Sequence, residues 1–98
     1  MTYLDDTAAL IRDRVDPKLL PDEDDLQDLF RLYALLAHVK GFQVTAEDVH
    51  DAWAVWELER GSDHESIKPY ADLDAETRSE DEPYVAAIRS AAETLKSS

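Results

Sequence analysis

The sequence predicts an all-α protein: a small helical domain of four to five helices, with a proline-containing loop between the third and fourth. Three observations point there. Apolar residues recur at three- and four-residue spacing along most of the chain, the period of a helix face. Helix-starting residues stand ahead of those runs, notably Thr2, Thr45 and the Asp81-Glu82 pair before Pro83. The chain has 2 glycines, Gly41 and Gly61, and each follows such a run, where a helix stop is expected. Strand-type alternation is weak throughout and no internal repeat is visible.

The first helix is expected to be capped by Thr2 or Asp5 and to reach about Val15, with Leu4, Ala8, Ile11 and Val15 on one stripe. Pro17 ends it. A connector through Pro21 leads into a second helix from about Asp22 to Lys40. Its first turn, Asp22-Glu23-Asp24-Asp25, is wholly acidic, which suits the positive end of a helix dipole. Leu26, Leu29, Phe30, Tyr33, Leu36 and Ala37 form one apolar face, and Leu32, Leu35 and Val39 a second. A helix apolar on several sides is central in its domain or packs in an oligomer interface. Homodimerisation is therefore expected.

Phe42-Gln43-Val44 reads as a short extended connector. Thr45 then caps a third helix, with Asp48 in the capping-box position and Val49 placed to meet Phe42 or Val44. That helix runs to about Arg60. Val49, Ala52, Trp53 and Trp56 share a face, and His50 and Arg60 stand at its edge. Residues 62–71 read as loop, Leu73 anchors a short helical turn begun by Asp74, and Asp81 or Glu82 opens the last helix. Tyr84 or Val85, Ile88, Ala91 or Ala92, and Leu95 carry it onto the core.

Ninety-eight residues make a single domain, able to bury one core without staples. Cysteine is absent, so disulfides, thiolate metal sites and thiol nucleophiles are excluded. No signal peptide and no membrane span is read, and a cytoplasmic protein is expected. A net charge of −13, from 23 acidic and 10 basic residues, repels phosphate backbones and argues against binding a nucleic-acid duplex. The same charge suits solubility or, in a sharper reading, mimicry of nucleic acid towards a basic partner.

No nucleophile elbow, Gly-rich phosphate loop or i,i+4 metal-binding pair is present, so no catalysis, metal or cofactor is expected. Asp63-His64-Glu65 reads as a solvated acidic loop rather than a zinc site. The tryptophans carry the chemistry instead. Trp56 suits the core. Trp53 lies one turn from His50, and a loop bearing His64, Lys68 and Tyr70 can fold over that face. An indole is a flat platform for a nucleobase or similar ring, and Lys68 and Arg60 are the candidate phosphate-holding cations.

At Ala46-Glu47-Asp48-Val49-His50-Asp51-Ala52-Trp53-Ala54, at His64-Glu65-Ser66-Ile67-Lys68-Pro69-Tyr70-Ala71-Asp72-Leu73, and at Asp81 with the apolar positions of the last helix, the chain resembles the RyR repeat domain. That family is named for ryanodine receptors and is also found in short bacterial and phage proteins. Its members typically show an Asn- or Asp-X-His-X-X-Trp-Ala helix, a His-Pro-X-Leu-X-Pro-Tyr loop and a Leu before a short acidic helix. The resemblance spans Thr45 to Leu95, so residues 44–96 form a RyR-like half and 1–41 an added helical pair. Two features depart from the pattern: Glu65 replaces the loop's first proline, and Arg60-Gly61-Ser62-Asp63 stands where a longer Gly-Trp-X-Tyr-Gly connector is common.

The resemblance implies a mainly helical, non-enzymatic binding or interaction module, with nucleotide-derived ligands in prokaryotic members. The expected function is capture of a nucleotide-like small molecule at Trp53, with His50, Trp56, Arg60, His64, Lys68 and Tyr70 around it, in a phage or defence-linked sequestering role. The alternative is an acidic protein–protein interaction factor whose tryptophans are structural.

Overall fold

A computed structural model describes residues 2–20 and 26–97. Among these residues are five α-helices: α1 (Tyr3–Asp13), α2 (Leu26–Val39), α3 (Ala46–Glu59), α4 (Ala75–Ser79) and α5 (Glu82–Ser97). Three single 3-10 turns, Pro17–Leu19, Gly41–Gln43 and Tyr70–Asp72, lie between them. The fold is all-α, as the spacing of apolar residues predicts. The acidic run 22–25, expected to start the second helix, lies outside the described residues.

Local chemistry fixes most boundaries. The Thr2 hydroxyl accepts the Asp5 N–H while the Asp5 carboxylate accepts the Thr2 N–H, a reciprocal capping box that uses both expected residues at once. Helix α1 stops at Asp13, short of Val15. Pro17 disfavours helical geometry at Asp16, which is held at φ −58° and ψ 123°. Val15 is nonetheless buried. After α2, Gly41 adopts φ +57° and turns the chain. Gln43 and Val44 N–H groups then close onto the Lys40 and Gly41 carbonyls. The segment expected to be extended is thus a 3-10 turn, with Val44 alone extended.

Thr45 and Asp48 cap α3 as the sequence indicates, with bonds of 2.9 and 3.2 Å. At its other end Gly61, at φ +76°, lets the Ser62 N–H reach the Glu57 carbonyl and its own N–H reach that of Leu58, a Schellman closure. Asp74 caps α4 through the Thr77 N–H at 2.8 Å. The N–H groups of Tyr84 and Val85 both bond to the Asp81 carbonyl, so Asp81 is the residue that opens α5.

Helix α2 lies at the centre, packed on α1, α3 and α5. Phe30, Tyr33 and Ala34 from α2 meet Ala8 and Ile11 of α1, Val49 and Trp56 of α3, and Val85, Ile88 and Ala91 of α5 in one shared core. The second apolar stripe of α2 splits: Leu32 is half-buried, whereas Leu35 and Val39 are 48% and 70% exposed. Among the described residues four polar side chains are buried, Asp5, Thr7, His50 and Glu57, and none of them is expected inside from the sequence. Asp5 is buried between α1 and α2, accepting bonds from Arg31 at 2.6 Å and Gln27 at 3.2 Å. His50, expected at the edge of its helix, is 3% exposed.

Candidate functional site

Helices α2 and α3 and the start of α5 border a partly open recess of about 430 Å³. Helix α2 contributes Leu29 and Tyr33, and α3 contributes His50, Trp53 and Trp56. Those three α3 residues, spaced by three, occupy adjoining positions on one side of that helix. His64 and Ser66 of the following loop form the rim, and the α4–α5 junction supplies Glu80, Asp81 and Tyr84. The size is that of a small-molecule site, and the wall is mostly apolar and aromatic.

The loop is held over α3 by backbone chemistry. A carbonyl only accepts, so the 2.7 Å contact between His50 Nε2 and the Lys68 carbonyl is an Nε2–H donation. This fixes the tautomer of the neutral ring, leaving Nδ1 as acceptor. His64 Nδ1 accepts the Ser66 N–H at 3.0 Å, so its proton sits on Nε2 in the neutral form. Between them stands Trp53, half-buried. The His50 ring stacks on it at 5.6 Å and 29°, and the His64 ring meets it edge-on at 5.2 Å.

The polar residues of the recess are the imidazoles of His50 and His64, the hydroxyls of Ser66 and Thr77, the carboxyls of Glu80 and Asp81, and the phenols of Tyr33 and Tyr84. Burial pushes the Asp81 carboxyl up to about 6, with His50 opposing and Glu80 and Glu82 reinforcing the rise. Burial likewise pushes the Tyr33 hydroxyl well above its ordinary value and raises Tyr84. Tyr84 donates its hydroxyl to the Leu19 carbonyl at 3.1 Å, tying α5 to the turn after α1. Neither the Asp81 carboxylate nor the Tyr33 hydroxyl bonds to a described residue. Among the described residues no enclosed side-chain nitrogen or oxygen lacks a partner, so both groups keep some access to solvent, and both residues line the recess.

Of the residues singled out from sequence, His50, Trp53, Trp56 and His64 come together in this wall. Arg60, Lys68 and Tyr70 do not line it. Arg60 folds back along its own helix, its guanidinium 4.2 Å from the Trp56 ring centre and bonded to Glu57. Lys68 contributes its carbonyl to His50, while its side chain is exposed. Tyr70 faces His50 at 6.1 Å and the Arg78 guanidinium at 5.3 Å. The expected cations therefore stand outside the recess, and carboxylates stand in it.

Sequence reasoning missed Asp81 and Tyr33 as cavity groups. In the sequence Asp81 stands as a helix starter and as part of the RyR-type resemblance, and Tyr33 as a core residue. The signal available was faint: an acid two residues ahead of Pro83-Tyr84, on an element whose apolar positions turn towards α2. Among the described residues no cluster of three or more His, Cys, Asp or Glu is suited to a metal ion, and no helix is long and apolar enough to cross a membrane.

A family model described as a domain of unknown function (DUF7701) matches residues 2–93. The match runs through α1 and α2 as well as the later helices. No curated protein and no solved structure matches the chain.

Proposed function

The chain belongs to the DUF7701 family, whose description names no activity, and from the site alone we propose a non-enzymatic binding module that takes a flat, nucleobase-like ring against Trp53. The observation that carries this is the recess of about 430 Å³ beside a half-buried indole. A protein of this size gains stability by closing such a gap, because an unfilled void forfeits packing contacts. Keeping aromatic walls open to solvent makes sense when a guest fills the space. His50 and His64 fix the indole in place, and the Lys68 carbonyl holds the loop down, so the platform is formed before the guest arrives. The RyR-type resemblance of the helix and loop supports the same reading, and the module is taken to be cytoplasmic.

Thermal shift against nucleosides, nucleotides and cyclic dinucleotides tests it. A ligand at a hundred times its dissociation constant stabilises by ~2.7 kcal/mol. Trp53→Ala is expected to abolish the shift and keep the helical circular dichroism, because stacking on one aromatic contributes ~1–3 kcal/mol. Full binding by that variant removes the stacking role. Absence of a shift with every flat compound favours the acidic-interaction reading, for which the net charge of −13 speaks.

The second apolar stripe of α2 supports homodimerisation as part of the proposal, since Leu35, Val39 and Phe42 expose one side of that helix and the turn after it.

A further inference from the structure

The recess has a polar end as well as a flat wall. Tyr33 is 2% exposed, yet it lines the recess, and its hydroxyl bonds to no described residue. The ring is enclosed but the hydroxyl keeps access to solvent, so a guest's polar edge can take the place of water on it. The Asp81 carboxylate, at the start of α5, lines the same recess and accepts no bond from a described residue. These two groups come from different helices, and both face the space that Trp53 borders.

Their chemistry selects a guest. An ionised carboxylate only accepts hydrogen bonds, through two oxygens that match a pair of parallel N–H donors. Glu80 lies on the same wall, and among the described residues no lysine or arginine does. A phosphate or carboxylate placed inside would meet like charge, and P–O or C–O acceptors would leave Asp81 unanswered.

We propose that Asp81 and the Tyr33 hydroxyl are the specificity-determining end of the recess, reading the paired N–H edge of a flat nitrogen heterocycle or an aromatic amidinium. This rests on the flat-ring site proposed above and narrows it to donor-edged guests. For a nucleotide-derived ligand, the base edge lies at Asp81 and any phosphate stays outside the recess. A guanine-type ring, with a ring N–H beside an exocyclic amine, presents that donor pair. A ring offering only acceptors does not.

Three probes of one shape separate the possibilities: benzamidine, benzamide and benzoate, titrated into the intact protein at pH 7.5 and read by ligand-observed NMR and tryptophan fluorescence. Benzamidine is expected to bind best and benzoate worst. Asp81→Asn is expected to weaken benzamidine by roughly tenfold or more, the scale of a hydrogen bond to a charged group, with benzamide little changed. Tyr33→Phe keeps the ring in the core and removes only the hydroxyl, and it is expected to weaken benzamidine several-fold. Circular dichroism and the melting temperature report whether each variant folds. Equal binding of all three probes, or an amidine preference that survives Asp81→Asn, overturns the donor-edge assignment and leaves the flat-ring site standing. Failure of all three probes and of the wider nucleoside panel, with Trp53→Ala indistinguishable from wild type, overturns both.

Discussion

Asp81 carries a cost that can be measured without any ligand. Its folded pKa of about 6 lies above the ordinary 3.8, so between those values the folded state holds more protons than the unfolded one. Stability therefore falls as pH rises through that window. The carboxyl is only half-buried, and after discounting for solvent screening the charge costs about 1 kcal/mol at neutral pH. Asparagine caps helices as well as aspartate, so Asp81→Asn isolates the charge. That variant is expected to melt several degrees higher than wild type at pH 7.5, on the order of 4–8 °C, and to match it near pH 4. A difference independent of pH would mean that the carboxylate is not strained. Asp5 has the opposite sign. The Arg31 guanidinium holds its carboxyl well below the usual carboxylate range, so its contribution is present above about pH 4 and lost as the solution turns strongly acid. Asp5→Ala is expected to lower the melting temperature at neutral pH, and a scan at several pH values checks it. A residue that stabilises the fold and one that taxes it thus sit in different places: Asp5 in the α1–α2 seam, Asp81 at the open recess.

At the scale of elements, α3 carries the platform, and its start is set by four residues. Removing the Thr45 hydroxyl leaves the Asp48 N–H without its partner, and Thr45→Ala is expected to cost ~1 kcal/mol. Chemical denaturation measures this directly; an unchanged midpoint would mean that the helix is held by packing alone. Such caps and stops were legible in the sequence because they are decided within a few residues: Thr45 with Asp48, Gly61 after Arg60, Asp74 at the start of its short helix. Burial of polar groups was not legible, because it is decided by distant chain. Asp5 is enclosed by residues 22 and 26 positions away, and His50 is covered by a loop carbonyl 18 positions away. The recess falls between these cases. Spacing placed His50, Trp53 and Trp56 together on one helix. It gave no information on α5, which brings Asp81 across to them, or on the direction of Arg60 in the last turn of α3.

At the scale of the molecule, two long-range tendencies oppose each other. The exposed Leu35 and Val39, with Phe42 just beyond, favour a second copy covering α2, since each apolar square ångström removed from water contributes ~25 cal/mol. A charge of −13 on each copy opposes the approach. Salt screens that repulsion over a Debye length of ~8–10 Å at moderate ionic strength and leaves apolar burial intact. Self-association is therefore expected to strengthen when salt is raised from 20 to ~500 mM, across the range where the Debye length shortens most. Sedimentation velocity reads the shift. Val39→Glu adds a charge to the centre of the exposed stripe and is expected to keep the protein monomeric at both salt levels, with its binding of flat ligands unchanged. A dimer that weakens with salt would instead be held by ion pairs, and the outer stripe of α2 would then not be its seam. Because Val39 lies outside the recess, the same variant separates assembly from binding: if guest affinity were lost together with the dimer, the second copy would be contributing to the site.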